Sequence, residues 1–193
     1  MATAATTPDR FVLADLVPGA IARDASLVII GAGLTGLAAQ VSIHTPLTPV
    51  PFTLQTFAVL LAGAALGTVR GAMSMLVYLL AGVVGVPWFA SHAYGWGGPS
   101  FGYIIGFVVA AGAVGELSRG GNDRQVLSTI GLMALGSAIV YVFGATWLAA
   151  DLHLSAQKAI DLGVTPFLVT DALKLAAAGL VLPGAWRLVR RFR

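Results

Sequence analysis

Two residues whose chemistry is out of place in their surroundings are Asp171 and Lys174, inside the apolar run VTPFLVTDALKLAAAGLVL. Their i,i+3 spacing puts both on one face of a helix, one turn apart. At the centre of a membrane helix each charge would cost about 2.5–3.5 kcal/mol on an insertion scale. Such a pair persists where it faces a polar cavity or a partner. An ammonium holds a carboxylate or another acceptor. A carboxylate accepts N–H donors, or pairs with the lysine when the site is empty. Thr53, Gln55 and Tyr103 are the neutral polar groups best placed to join them, with Tyr94 among the aromatics supplying a wall and Gly98 letting backbone approach a ligand. The implied ligand is small, partly apolar, and carries both an acid and amide-like N–H groups. The competing reading is a buried salt bridge that only fixes helix packing.

Other chemistries find little support. There are no cysteines, so disulfides, thiolate metal sites and thiol catalysis are excluded. His44, His92 and His153 lack the close spacing of a helical metal pair, and no metal site is expected. No Gly-rich phosphate loop with its lysine is present, so nucleotide hydrolysis is not expected, and Asp171 without a paired carboxylate is thin support for an enzyme. Gly31, Gly33 and Gly36 in VIIGAGLTGLAA match the dinucleotide pattern G-x-G-x-x-G. That fingerprint needs a carboxylate about 20 residues on, whereas the next acidic residue after Asp24 is Glu116. We read the run as a membrane helix whose small residues admit close packing.

The elements that must position the pair follow from composition. The chain has 193 residues, 58% hydrophobic and 10% charged, with a mean hydropathy of +0.89. Soluble domains carry about a quarter charged residues, so this is an integral membrane protein, all-α, with one domain over residues 1–193. Residues 1–24 lack the layout of a cleaved signal peptide and form an amino-terminal segment, with an interfacial helix expected through Phe11 to Ile21. Six spans are expected: Ser26–Ile43, Phe57–Val69 (starting near Thr53), Gly71–Val86 after a turn at Arg70, Phe101–Leu117, Val126–Leu148, and a sixth beginning with Thr165 as N-cap and Pro166 at the first helical position. The core is residues 25–187 and residues 188–193 form a basic tail.

Charge sets the orientation. Of the 11 Lys and Arg residues, nine (Arg10, Arg23, Arg70, Arg119, Arg124, Arg187, Arg190, Arg191 and Arg193) fall at the termini and in the turns after spans two and four. By the positive-inside rule both termini are cytoplasmic. The net charge of +3 therefore reports membrane orientation, and no nucleic-acid partner is expected. Counting roughly 1.5 Å per residue from Thr165, Asp171 and Lys174 lie about 9 and 13 Å along their helix, in the outer half of the membrane. Two uncharged loops lie on that side. HTPLTPVPFTLQ (44–55) cannot be helix, because Pro46, Pro49 and Pro51 remove donors and restrict their predecessors, and it is read as a pocket-lining loop. PWFASHAYGWGGPS (87–100) is rich in aromatics and glycine; its tryptophans are pocket wall or interfacial anchors.

PVPFTLQTFAVLLAG, GGPSFGYIIGF and TPFLVTDALKLA, in this order, resemble the BioY family, the biotin-specific membrane subunits (S-components) of energy-coupling factor (ECF) transporters. The resemblance runs from the first span to the sixth. It implies a six-helix protein of the bacterial cell membrane that captures biotin from outside. It also implies a transmembrane coupling protein and two ATPase subunits as partners, and no cofactor. The family's Asp-x-x-Lys falls on Asp171 and Lys174, its proline-rich loop on Pro49 to Gln55, and its Gly-Gly-Pro segment on Gly97 to Pro99, with Tyr103 following. Whether Lys174 meets the carboxylate or the ureido oxygen stays open. The family's first helix presents small residues to the coupling protein; the nearest match is Gly31, Ala32, Thr35, Gly36 and Ala39, for which packing within the subunit is an equal alternative. The other functional class is an ion-coupled carrier of a small organic acid with Asp171 as protonation site. Repeated motifs in both halves would be expected of a carrier, and the proline loop has no second copy.

Overall fold

Glycine and alanine decide how the helices meet. The computed structural model describes residues 12–16 and 21–191. Among the described residues seven α-helices follow one another: α1 (Ile21–Gln40), α2 (Gln55–Leu66), α3 (Thr68–Val83), α4 (Phe101–Arg119), α5 (Val126–Asp151), α6 (Ala156–Gly163) and α7 (Leu168–Arg191), with a two-stranded hairpin, β1 (Ser42–Thr45) and β2 (Thr48–Thr53), between α1 and α2. α4 is the central helix, burying eleven of its nineteen residues. A Cβ on Gly63 would stand 2.6 Å from the Ala111 carbonyl oxygen, and one on Gly115 only 2.4 Å from the Gly67 carbonyl carbon, so α4 lies backbone to backbone on α2 and the α2–α3 turn. Between α4 and α5, Gly102 admits the Trp147 side chain and the Phe143 carbonyl, and Gly144 admits the Tyr103 ring.

Among the described residues four helical segments are long and apolar enough to cross a membrane: Ile21–Gln40, Phe101–Arg119, Val126–Asp151 and the stretch Ala156–Arg191. α2 and α3 have 12 and 16 residues, about 18 and 24 Å of helix, shorter than a hydrocarbon core of about 30 Å. Several expected boundaries move. α1 is already helical at Ile21, before the expected Ser26, and ends at Gln40, whose side-chain amide reaches the carbonyls of Trp88 and Phe89 at 3.1 and 3.3 Å. The α2–α3 turn is at Gly67, not Arg70, because only Gly67 has the left-handed φ of +83° that the reversal needs. Arg70 instead lies in the first turn of α3 and bridges Asp15 at 2.7 Å and Asp24 at 3.2 Å. Burial pushes the Asp15 carboxyl up, but the Arg70 hydrogen bond, the Val12 backbone amide and the charges of Arg70 and Arg119 together outweigh it and hold Asp15 below the usual range. The interfacial helix expected over Phe11–Ile21 is a 3₁₀ turn at Leu13–Leu16; Phe11 and residues 17–20 lie outside the described residues, as does Arg193 in the tail.

The proline segment, expected to be a loop, is an antiparallel hairpin. Ser42 pairs with Thr53, Ile43 with Phe52 and Thr45 with Thr48, with an irregularity between Ile43 and Thr45. Each strand of a two-stranded ribbon has a free edge, so Pro49 and Pro51 fit in β2 despite their missing donors. The segment 151–164 contains α6, capped by Ser155, whose hydroxyl accepts the Lys158 amide at 3.3 Å. Thr165 is not an N-cap: Thr165–Phe167 is a 3₁₀ turn entered from Val164, and α7 proper begins at Leu168. Asp171 is therefore in the first turn of α7. VIIGAGLTGLAA lies wholly inside α1, with no strand before it among the described residues.

Candidate functional site

α7 turns Asp171 and Lys174 inward, toward α2, α4, α5 and the hairpin. Asp171 is 5% exposed. Lys174 Nζ donates to Asp171 Oδ1 at 2.7 Å and to Thr56 Oγ1, in the first turn of α2, at 3.0 Å. From α5, Tyr141 donates its hydroxyl to the other carboxylate oxygen, Oδ2, at 2.5 Å. An ammonium has three donors and a carboxylate about four acceptor positions. The pair thus retains one N–H and two lone pairs, side by side, facing a cavity of about 40 Å³. The walls are Val50, Pro51 and Thr53 of β2, Ser100, Tyr103, Ile104 and Phe107 at the start of α4, and Phe167. Phe52 and Phe167 stack with ring centres 4.6 Å apart, tying the hairpin to the turn that launches α7.

The expected polar neighbours are present, but most of their hydrogen bonds go to the protein. Thr53 Oγ1 donates to Gln55 Oε1 at 3.1 Å, Gln55 Nε2 donates to Tyr78 Oη at 2.7 Å, and Tyr78 donates to the Trp88 carbonyl at 3.2 Å. This relay fixes the hairpin end, α2, α3 and the aromatic loop to one another, and Gln55 and Thr53 line the cavity as parts of it. Tyr103 donates to the Gly163 carbonyl at 2.7 Å, so it offers the cavity its ring. Gly98 and Tyr94 are not beside the charged pair. They line a second chamber of about 290 Å³ under the aromatic loop, which shares Pro51, Gln55, Ser100 and Ile104 with the first. Together the chambers reach the lower end of the roughly 300–1,000 Å³ typical of small-ligand sites. Gly97 and Gly98 sit at φ of +92° and +83°, a turn other residues adopt only with strain. The loop's aromatics divide. Trp88 and Phe89 pack on Tyr78 inside the bundle, whereas Tyr94 and Trp96 are exposed.

The small residues expected to meet a coupling protein are turned the other way. Gly31, Ala32, Thr35, Gly36 and Ala39 are the buried residues of α1. A Cβ on Gly31 would come within 2.6 Å of Ser74 Oγ, and one on Gly36 within 3.1 Å of the Trp88 ring. Thr35 donates to the Gly31 carbonyl and lies 3.7 Å from Met75 Sδ. Packing against α3 and the aromatic loop occupies this face, and these five residues are withdrawn as coupling-protein contacts. The outward face of α1 carries Ile29, Ile30, Leu34 and Leu37.

Sequence reading missed Tyr141 altogether and saw Thr56 only as a polar group near the loop's return to helix. A signal for Tyr141 existed: it is the one tyrosine in the apolar run 126–151, and a buried phenol normally finds a partner.

The model of the BioY family matches residues 6–191. The chain belongs to the BioY family. A BioY relative in Pyrococcus horikoshii, named a probable biotin transporter, is 40% identical over 163 residues, 83% of this chain and 94% of that protein. The biotin transporter BioY of Thermotoga maritima is 37% identical over 142 residues, 72% of this chain and 82% of its own length. Among solved structures, the S-component for biotin from an ECF-type ABC transporter superposes with a TM-score of 0.77 at 20% identity, covering 86% of this chain and 92% of that one. This likeness supports the helical architecture. The several apolar helices fit the multi-pass membrane protein expected of a BioY transporter.

Proposed function

We propose that this chain is the biotin-capturing S-component of an ECF transporter. It crosses the cell membrane with six segments and both termini in the cytoplasm, and binds its ligand from outside beneath the hairpin and the aromatic loop. It performs no chemistry and carries no cofactor; a transmembrane coupling protein and two ATPase subunits drive release inward. The observation that carries this reading is the Asp171–Lys174 pair, held by Tyr141 and Thr56 in a cavity whose walls mix apolar side chains with the neutral polar groups of Thr53, Gln55 and Ser100.

The pair offers a charged donor directly beside acceptors. In biotin, the end that presents an acceptor beside N–H donors is the ureido ring. We therefore place that ring at Asp171 and Lys174, and the valerate carboxylate toward the larger chamber. Splitting the pair to free Lys174 for a carboxylate would strand a buried Asp171, which is costly. Titration of the detergent-purified protein with biotin tests the reading: saturable binding well below millimolar is expected, and none up to that concentration would overturn it. Uptake into proteoliposomes on a proton gradient, without any ATPase, would instead point to the carrier. The natural absence of cysteine makes orientation directly measurable. Ala93→Cys, at an exposed position with ordinary extended backbone, should be labelled by an impermeant maleimide from outside intact cells, and Asn122→Cys only after permeabilisation.

A further inference from the structure

Tyr141 lines two cavities at once. One is the small chamber at Asp171 and Lys174. The other is an apolar groove of about 520 Å³ between α5 and α6, bordered by Val142, Ala145, Ala149, Ala159 and Ile160. Its ring is therefore part of the partition between the polar site and the side of the bundle. Its hydroxyl is the donor on Asp171 Oδ2, as Lys174 is on Oδ1. A carboxylate turns easily about its last torsion, which is broad and roughly two-fold. A donor from α7 alone would leave Oδ2 to swing, whereas a second donor from another helix sets the carboxylate plane. The bond is short and charge-assisted, of the stronger class. Tyr103 is the other tyrosine against this chamber, but its hydroxyl is spent on the Gly163 carbonyl and sets nothing at the pair.

We propose that Tyr141 is a positioning residue for ligand binding: it fixes the Asp171 carboxylate in the plane that receives the ligand's N–H groups, and acts through Asp171. This rests on the reading that the Asp171–Lys174 pair holds biotin. With Tyr141 in place, both carboxylate oxygens are oriented before the ligand arrives, and binding does not bear the cost of ordering them.

The test is a double-mutant cycle on biotin affinity in detergent, with Tyr141→Phe, Asp171→Asn and both together. Phenylalanine keeps the ring and hence the partition, so it isolates the hydroxyl. Tyr141→Phe should weaken biotin binding about tenfold to a hundredfold, the range for a hydrogen bond to a charged group. In the Asp171→Asn background the same change should cost little further, since its route is gone. Wild-type affinity in Tyr141→Phe would overturn the proposal. So would a full, additive loss in the double variant, which is what a purely packing role would produce. Tyr141→Leu serves if the phenylalanine variant does not purify as folded protein, and wild-type affinity there overturns the proposal equally. If the unsubstituted protein fails to bind biotin, the ligand reading falls and this inference with it; if only the cycle fails, biotin capture stands.

Discussion

Replacing Lys174 with methionine separates binding from packing at the charged pair. Lys174 Nζ lies 2.7 Å from Asp171 Oδ1, and the two side chains are 16% and 7% exposed. Removing the ammonium leaves a buried carboxylate with Tyr141 as its remaining donor and deprives Thr56 of its partner. Breaking a buried pair on one side costs about 3–5 kcal/mol, and the residual exposure of Lys174 places the cost at the low end, about 3 kcal/mol. Removing both charges, with Asp171→Asn and Lys174→Met together, is expected to be near neutral for stability. Binding follows different arithmetic. Each ligand hydrogen bond to a charged group contributes about 1.5–3 kcal/mol, or about ten- to a hundredfold in affinity. Calorimetric titration with biotin and thermal melting on the same preparations read both quantities. The single variant should melt lower and bind at least about tenfold more weakly. The double variant should melt near the unsubstituted protein and bind no better than the single one. A double variant that recovers affinity along with stability would reduce the pair to a packing device.

Thr56→Val keeps the side-chain shape but removes the acceptor at 3.0 Å from Lys174 Nζ. Biotin affinity by titration should fall about three- to tenfold, with little change in melting. Gly102→Ala places a Cβ 2.1 Å from Trp147 Cβ and 2.7 Å from the Phe143 carbonyl oxygen, so α4 and α5 must separate. A loss of about 1–3 kcal/mol should appear as a lowered melting temperature, and unchanged melting would contradict this helix contact. Asp123, in the α4–α5 turn, is fully buried with Trp186 Nε1 donating to Oδ2 at 2.6 Å; burial raises its pKa against the opposing effect of that bond. A raised folded-state pKa means the folded protein holds the proton more tightly. The stabilisation is complete below the unfolded value and lost as pH rises through the folded one. The melting temperature of the unsubstituted protein relative to Asp123→Asn should therefore increase as pH falls from about 7 toward about 4; a flat difference would contradict the shift.

Several features were legible because they are local. An i,i+3 spacing places Asp171 and Lys174 on one helix face whatever the rest of the chain does, and it puts them within reach of the 2.7 Å contact observed. Prolines at 46, 49 and 51 forbid helix, and that segment is indeed not helical. What proline cannot announce is a hairpin, since pairing Ser42 with Thr53 depends on which strand edge finds a partner. The α2–α3 turn was misplaced at Arg70 because charge suggested a boundary, whereas backbone freedom at Gly67 and the close approach of Gly115 set it. The stripe Gly31, Ala32, Thr35, Gly36, Ala39 is expected either to meet a coupling protein or to pack inside the subunit, because small residues do not say which neighbour they meet, and it is buried inside the subunit.

Composition and periodicity alone determined that this chain is a bundle of apolar helices with one charged pair in its last helix, because both follow from hydrophobicity and helical geometry within a few residues. The tertiary structure decided how that pair is held. Tyr141 lies 30 residues from Asp171 in sequence and Thr56 lies 118 from Lys174. No local pattern encodes contacts at such range. They exist because the helices pack closely: glycines at 63, 102 and 115 admit neighbouring backbone, and those at 144 and 179 admit the Tyr103 and Ile130 side chains. A costly pair of charges thereby becomes an ordered donor and acceptor facing a cavity.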